Sequence, residues 1–178
     1  MNQSEKVNFD LRPLNPKDID ELFTLTIKNR NHLKKFLTWI TQEYSIEDTK
    51  KFISETLEKE NAGKMFTRLI ICNDKIIGIV GLHGIGQDKN AEIGYWIDEN
   101  EQGKGIVTEA TKKIVNQGFN ELNLNRIGLR CAVINPKSCA IPKRLNFKKE
   151  GIIRQSVLVE NKFLDMEIWG ILKGEWKL

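Results

Sequence analysis

The sequence predicts an α/β protein of the mixed α+β kind, with a largely antiparallel sheet flanked by helices. Three observations carry that expectation. Two stretches rich in β-branched residues, 64–86 and 151–172, each fold back on a polar turn, at Asn73-Asp74 and at Glu160-Asn161-Lys162. Residues 16–60 instead repeat apolar side chains at helical spacing. Between these regions, at 92–119, come the apolar strand EIGYWI, a short polar turn, the glycine-rich run QGKGIVTEA and a second amphipathic pattern. With 178 residues, 40% of them hydrophobic and 29% charged, the chain suits one globular domain spanning 1–178 and able to bury its own core.

In chain order, Val7 to Leu14 alternates loosely and reads as an edge strand. Asn15 then caps a helix, with Pro16 at the first helical position and Asp18 in the first turn. Ile19, Leu22, Phe23 and Ile27 form its apolar stripe. A second helical piece carries Leu33, Phe36, Leu37 and Ile40, and a third runs from about Ile46 to Glu60. Phe36 and Trp39, between two helices, suit either core packing or the lining of an acceptor groove. After Gly63 comes the first hairpin, then a strand from Ala91 to Ile97 and a helix from about Lys104 to Phe119, striped by Val107, Ala110, Ile114 and Gly118. Asn125 to Ile134 is the next strand, NPKSCAIPKRLNF enters a short helix, and the second hairpin closes the chain.

Composition narrows the functional classes. The formal charge of +4 is mild and Lys and Glu are interleaved, so no nucleic-acid arm is indicated, although a basic face for an anionic ligand fits. No apolar run approaches the roughly 18 residues of a membrane span, and MNQSEKVNFD lacks the apolar core of a signal peptide, so a cytoplasmic protein is expected. Cys72, Cys131 and Cys139 are odd in number and lack metal-knuckle spacing, which predicts reduced thiols. His32 and His83 stand far apart, so neither a metal centre nor a Ser-His nucleophile pair is expected.

The glycine run is the chemically informative stretch. Gly103 and Gly105 let the backbone fold tightly and leave consecutive N–H groups at the mouth of a helix, where absent internal partners and the helix dipole favour phosphate. Lys104 adds a charge beside them. The spacing matches neither the Walker pattern nor the three-glycine dinucleotide fingerprint. It resembles instead the pyrophosphate loop of the GCN5-related N-acetyltransferases, Gln/Arg-x-x-Gly-x-Gly/Ala, with Gln102, Gly105 and Val107 at the three defined places. Val107 departs from the small residue expected there.

The element order is that of the same fold, a mixed sheet with a splayed central strand pair, and the resemblance spans nearly the whole chain. Within the superfamily the chain looks most like the RimJ/RimL group, which acetylates N-terminal amines of ribosomal proteins. The matches are HLKKFLTWI, EIGYWIDENEQGKGIVTEA, and Asn135-Pro-Lys-Ser138 followed by KRLNF. The resemblance implies acetyl-CoA as donor, with the pyrophosphate cradled by Gln102, Gly103, Lys104, Gly105, Ile106, Val107 and Thr108. It implies that the strand around Gly94 to Ile97 splays from the one after Asn125, that backbone N–H groups of Tyr95, Trp96 and Ile97 polarise the thioester carbonyl, and that Asn135 holds the pantetheine or adenosine end.

Direct transfer needs a neutral amine, an oxyanion donor and a proton for the departing thiolate. By resemblance Ser138 supplies that proton and a Glu in the first strand of the C-terminal hairpin acts as base. Val157 stands where that Glu is expected, leaving Glu92, Glu160 or Glu167 as substitutes, of which Glu92 is the candidate taken forward. Phe36, Trp39 and Asn161 are the expected acceptor contacts. Asn146 replaces a helix-ending Gly and should adopt the left-handed conformation. Pro142 should delay the last helix to its own position, with Ser138 as a cap. The acceptor reads as a protein N-terminus; a small amine (polyamine or aminoglycoside) and a non-catalytic acyl-CoA-binding module are the alternatives. No metal and no membrane enter this reading, and a homodimer is compatible with it.

Overall fold

A computed structural model describes residues 8–177. The elements are β1 (Asp10–Arg12), α1 (Ile19–Lys28), α2 (Arg30–Leu33), α3 (Ile46–Asn61), β2 (Met65–Cys72), β3 (Lys75–His83), β4 (Asn90–Ile97), α4 (Ile106–Asn120), β5 (Arg126–Ala132), α5 (Pro136–Arg144), β6 (Lys148–Val159) and β7 (Lys162–Leu172). The first expected strand is shorter than its sequence pattern, and Val7 lies outside the described residues. The seven strands form one sheet in the order β1-β2-β3-β4-β5-β7-β6, antiparallel except where β4 runs parallel to β5. No helix among the described residues is long and apolar enough to cross a membrane.

Local chemistry explains most of these elements. Asn15 accepts from Lys17 N–H at 3.0 Å, while Asp18 accepts back from Asn15 N–H at 2.8 Å, a reciprocal cap that opens the turn into α1. Asn73 and Asp74 take φ of 49° and 60°, and Glu160 and Asn161 take 43° and 62°. Those left-handed pairs match the twist of the strands they join, and Asn and Asp tolerate them best after Gly. The larger core lies between the sheet and α4 and α5, with Ile114, Val115, Phe119 and Ile127 essentially sealed. A second core packs Leu22 and Leu25 of α1 and Ile53 of α3 on the opposite face. Gly118 allows α4 to lie close, because a Cβ there would come within 2.9 Å of both Ile127 and Leu82.

Three expectations are corrected. The stripe of α4 begins at Ile106, 2% exposed, which stands one turn before Ala110 and Ile114 at i, i+4 spacing, while Val107, about 100° further round the helix, packs against the core only half-buried. The second helical piece is only one turn long. Leu33, Leu37 and Ile40 still gather, but around Tyr44 and Trp96, so tertiary packing replaces helical continuity. The last helix begins at Pro136 and contains Pro142 internally. Asn135 is its cap, accepting from Ser138 N–H at 3.2 Å, so the cap role expected of Ser138 falls to Asn135. The left-handed Asn146, φ 58°, ends that helix, with Asn146 N–H donating to Lys143 O and Phe147 N–H to Pro142 O.

Candidate active site

The site starts from a parting of strands. β4 pairs with β5 only from Asn90 to Glu92, opposite Arg126 to Gly128, whereas Gly94 to Ile97 stay bonded to β3 alone. A cavity of about 570 Å³ opens where the strands separate, between the loop Gln102–Thr108, the turn around His32 to Leu37 and the inward side of α5. The α1–α2 junction is clamped to the entrance of that loop. Lys28 Nζ lies 2.6 Å from Asp98, and Glu99 N–H donates to Asn29 Oδ1 at 2.8 Å.

Gly103 and Gly105 both adopt left-handed φ, 80° and 79°, and a Cβ at either would meet nothing within 4 Å. The residues are glycine for conformation and open approach. No side chain caps α4 at Gly105, so the N–H groups of Ile106, Val107 and Thr108 have no partner within the helix and line the cavity. Lys104 is paired with Glu101 at 2.8 Å. Gln102 donates through Nε2 to His32 Nε2 at 2.7 Å and accepts from Lys137 Nζ at 2.9 Å. That contact makes His32 Nε2 the acceptor and leaves its proton on Nδ1, 3.4 Å from Glu99. Burial lowers the His32 pKa against the pull of Glu99, which keeps the ring neutral. A bare backbone cradle with Lys104, Lys137 and Arg144 around it fits a pyrophosphate-bearing donor.

At the inner end of the cavity the Tyr95 hydroxyl lies 3.2 Å from both Ser138 Oγ and Ser138 O. The second contact explains how α5 tolerates a proline. Pro142 has no N–H to give the carbonyl four residues earlier, which belongs to Ser138, and the Tyr95 hydroxyl donates to it instead. Burial pushes the Tyr95 phenol far above its ordinary pKa, so it stays protonated. Tyr95, Trp96, Ile97, Asn135 and Ser138 all line the cavity, as does every residue from Gln102 to Thr108.

The expected acidic residues are placed elsewhere. Glu92 lies outside this cavity, its carboxylate held at 2.7 Å by Arg130 of β5, two residues past the end of the paired stretch. Glu160 binds Lys34 at 3.0 Å. Glu167 is held by Lys149 and by Trp169 Nε1 at 3.0 Å, and these bonds keep its carboxyl below the usual range. It sits against the buried thiols of Cys131 and Cys139, which carry no disulfide. Val157 packs beside Phe36 and Met166, just past a bulge in which Ile153 to Val157 of β6 opposes only Met166 to Leu164 of β7. Phe36 lines the cavity, whereas Trp39 lines a second cavity on the α1 and α3 side of β4, and Asn161 is confined to the β6–β7 turn. His32, Lys137 and Arg144 were not singled out as site residues from sequence, because nothing local distinguishes them from solvated helix residues.

A parted β4–β5 pair, an uncapped helix N-terminus and two hydroxyls at the inner end define an acyl-CoA-dependent transferase. The chain belongs to the GNAT acetyltransferases: the acetyltransferase (GNAT) domain family matches residues 8–148. The putative ribosomal N-acetyltransferase YdaF of Bacillus subtilis (strain 168) is 34% identical over 176 residues, 97% of this chain and 96% of the relative. The ribosomal-protein-serine acetyltransferase of Escherichia coli (strain K12) is 30% identical over 174 residues, 95% and 96% of the two chains. The structure of RimL, a ribosomal L7/L12 α-N-protein acetyltransferase in complex with coenzyme A, superposes with a TM-score of 0.89 at 26% identity, covering 93% of this chain and 96% of that one. The protein is an N-acetyltransferase, and acetyl-CoA is its acetyl donor.

Proposed function

We propose that the protein acetylates the N-terminal α-amine of a protein, with a ribosomal protein as the acceptor that its relatives favour. One observation carries the reading: the donor cavity and the second cavity share Leu37, Tyr95 and Trp96, so a donor entering from one side of β4 and an amine from the other meet at the same backbone. Each group of residues then has a part. The N–H groups from Ile106 to Thr108 hold the pyrophosphate, with Gln102 and Lys104 beside them. The free edge of β4 at Tyr95 to Ile97 lines the acyl end and donates to the carbonyl oxygen as negative charge develops there. Ser138 and the protonated Tyr95 share one hydrogen-bonded pair, from which the departing sulfur receives its proton. Asn135 fixes the start of α5 and thereby the aim of Ser138.

The test is an acetyl-CoA turnover assay against peptides bearing ribosomal-protein N-termini, with polyamines and amino sugars alongside. Acetylation of peptide α-amines is the expected outcome. Use of polyamines or amino sugars alone overturns the reading in favour of a small-amine enzyme, and acetyl-CoA binding with no acceptor used overturns it in favour of a non-catalytic module.

A further inference from the structure

The second cavity differs in kind from the donor cavity. It encloses about 340 Å³ between α1, α3 and the strands β2 to β4, and its walls are largely aromatic and aliphatic. Trp39, 45% exposed, and Phe52 stand at its opening, and Trp96 separates it from the donor side. No carboxylate is among its lining residues. A polycation would therefore find no counter-charge inside. Thr67, among the lining residues, is 3% exposed, and its hydroxyl has no hydrogen-bond partner among the described residues. An orphaned buried hydroxyl costs about 1–3 kcal/mol, a cost that a ligand acceptor seated against Thr67 would offset.

The floor is formed by a facing pair without side chains, Gly81 of β3 and Gly94 of β4. A Cβ on Gly94 would have one neighbouring side chain within 4 Å, His83, whose Nε2 lies 3.5 Å from that point. The exposed His83 ring thus overlies the backbone one residue before Tyr95, where the two cavities meet. Partial withdrawal from water lowers its pKa; Glu92 opposes that shift and Arg130 assists it. These two, on β4 and β5, are the charged groups that act on His83, and neither lines the cavity.

We propose, building on the reading of the protein as an α-amine acetyltransferase, that the second cavity seats the apolar first side chain of the acceptor, methionine above leucine, and that His83 at its mouth takes the proton of the attacking amine. The new nitrogen–carbon bond forms as the carbon–sulfur bond of the thioester breaks. His83 first takes one proton from the bound ammonium and passes it to water, which leaves the neutral amine. On attack the sulfur leaves with the bonding electrons and is protonated from the Ser138–Tyr95 pair. The second nitrogen proton passes to His83 and on to water, and water reprotonates the pair. The proton step favours α-amines on its own. An α-amine titrates near 7.7–8.0 and a lysine-type amine near 10.4, so the same histidine works against a gap about 2.5 units smaller in the first case. The thioether of methionine fits a flexible apolar body to a weak acceptor that Thr67 can satisfy.

The test compares peptides identical except for a first residue of Met, Leu, Ser or Asp, with spermidine as a further acceptor. In the wild type, kcat/KM for Met and Leu should exceed that for Ser and Asp by about 10- to 100-fold, with Met above Leu. Thr67→Val should remove the advantage of Met over Leu. His83→Gln should lower kcat by about 10²–10⁴ without changing the KM for acetyl-CoA. The acid limb of the kcat profile should lie below the ordinary histidine value of about 6.5 in the wild type and move toward the amine's own, near 8, in the variant. If all four peptides are used equally, or His83→Gln keeps its rate and profile, this proposal falls and the α-amine reading stands. If only spermidine is acetylated, both fall.

Discussion

The two faces of β4 solve different recognition problems with different materials. On the donor side the phosphate-binding groups come from one contiguous loop and the first turn of α4, and they are chiefly backbone N–H donors around Gly103 and Gly105. On the other side the walls come from α1, the turn at Trp39 to Tyr44, α3 and three strands, and side chains do all the work. A phosphate needs only oriented N–H groups and positive charge, which short sequence can supply. An uncharged acceptor body must be recognised by shape, which requires distant segments to converge. The donor side should therefore be sensitive to backbone and charge changes in a few positions, and the acceptor side to the volume of many.

The largest effect expected on the donor side is that of Gly105→Asp. A carboxylate placed against the uncapped N–H groups, at a φ of 79°, should weaken acetyl-CoA binding by more than about 100-fold, or 2.7 kcal/mol, while circular dichroism shows the fold retained. Calorimetric titration checks this, and wild-type affinity would remove the loop from the donor site. Next in size are Ser138→Ala and Tyr95→Phe, each expected to lower kcat by about 10²–10⁴ with acetyl-CoA affinity kept. Because the two hydroxyls share one hydrogen bond, the double variant should lose little more than either single one. Additive losses would show that they act separately. Since Asn135 caps α5, Ser138→Ala reports on chemistry without removing the cap.

A smaller effect separates the two faces directly. Trp39→Ala should raise the acceptor's KM by about tenfold and leave that of acetyl-CoA unchanged, because Trp39 touches only the second cavity. Equal changes in both constants, with a lowered melting temperature, would mark Trp39 as packing alone. Pro142→Ala tests the bond that joins β4 to α5. The added N–H should satisfy Ser138 O from within the helix and raise stability by less than about 3 kcal/mol, the helix-interior difference between the residues. Urea unfolding measures it, and a loss of stability would show that the proline ring's packing outweighs the missing bond.

The smallest effect concerns the clamp at the entrance of the loop. Burial alone would raise the Asp98 pKa, but Lys28 and the Asn100 N–H hold it below the usual value. A carboxylate depressed in the folded state contributes stability above its unfolded pKa, about 3.9, and loses that contribution as pH falls through the folded value. Lys28→Met should therefore be less stable than wild type near neutrality, with the gap closing below roughly pH 4. A gap independent of pH would assign the loss to packing.

Alone, the sequence determined the parts whose constraints are local. The left-handed turns at Asn73-Asp74 and Glu160-Asn161, the cap at Asn15, the left-handed end at Asn146 and the glycine loop are each set by dihedral and hydrogen-bond requirements within a few residues. The alternation and helical periodicity of the chain carried the order of strands and helices for the same reason. Only the tertiary structure decided which side chains meet. Tyr95 reaches Ser138 across 43 residues of sequence, and that contact lets α5 start at Pro136 despite Pro142. Glu92 could serve as a base on sequence grounds, but the short paired stretch of β4 and β5 gives it to Arg130. His83, given no site role by its spacing from His32, lies over Gly94 because β3 and β4 pair in the register that sets Gly81 against Gly94. Register and strand splay are properties of the whole sheet, and a change of one residue in either would move every one of these side chains to a different neighbour.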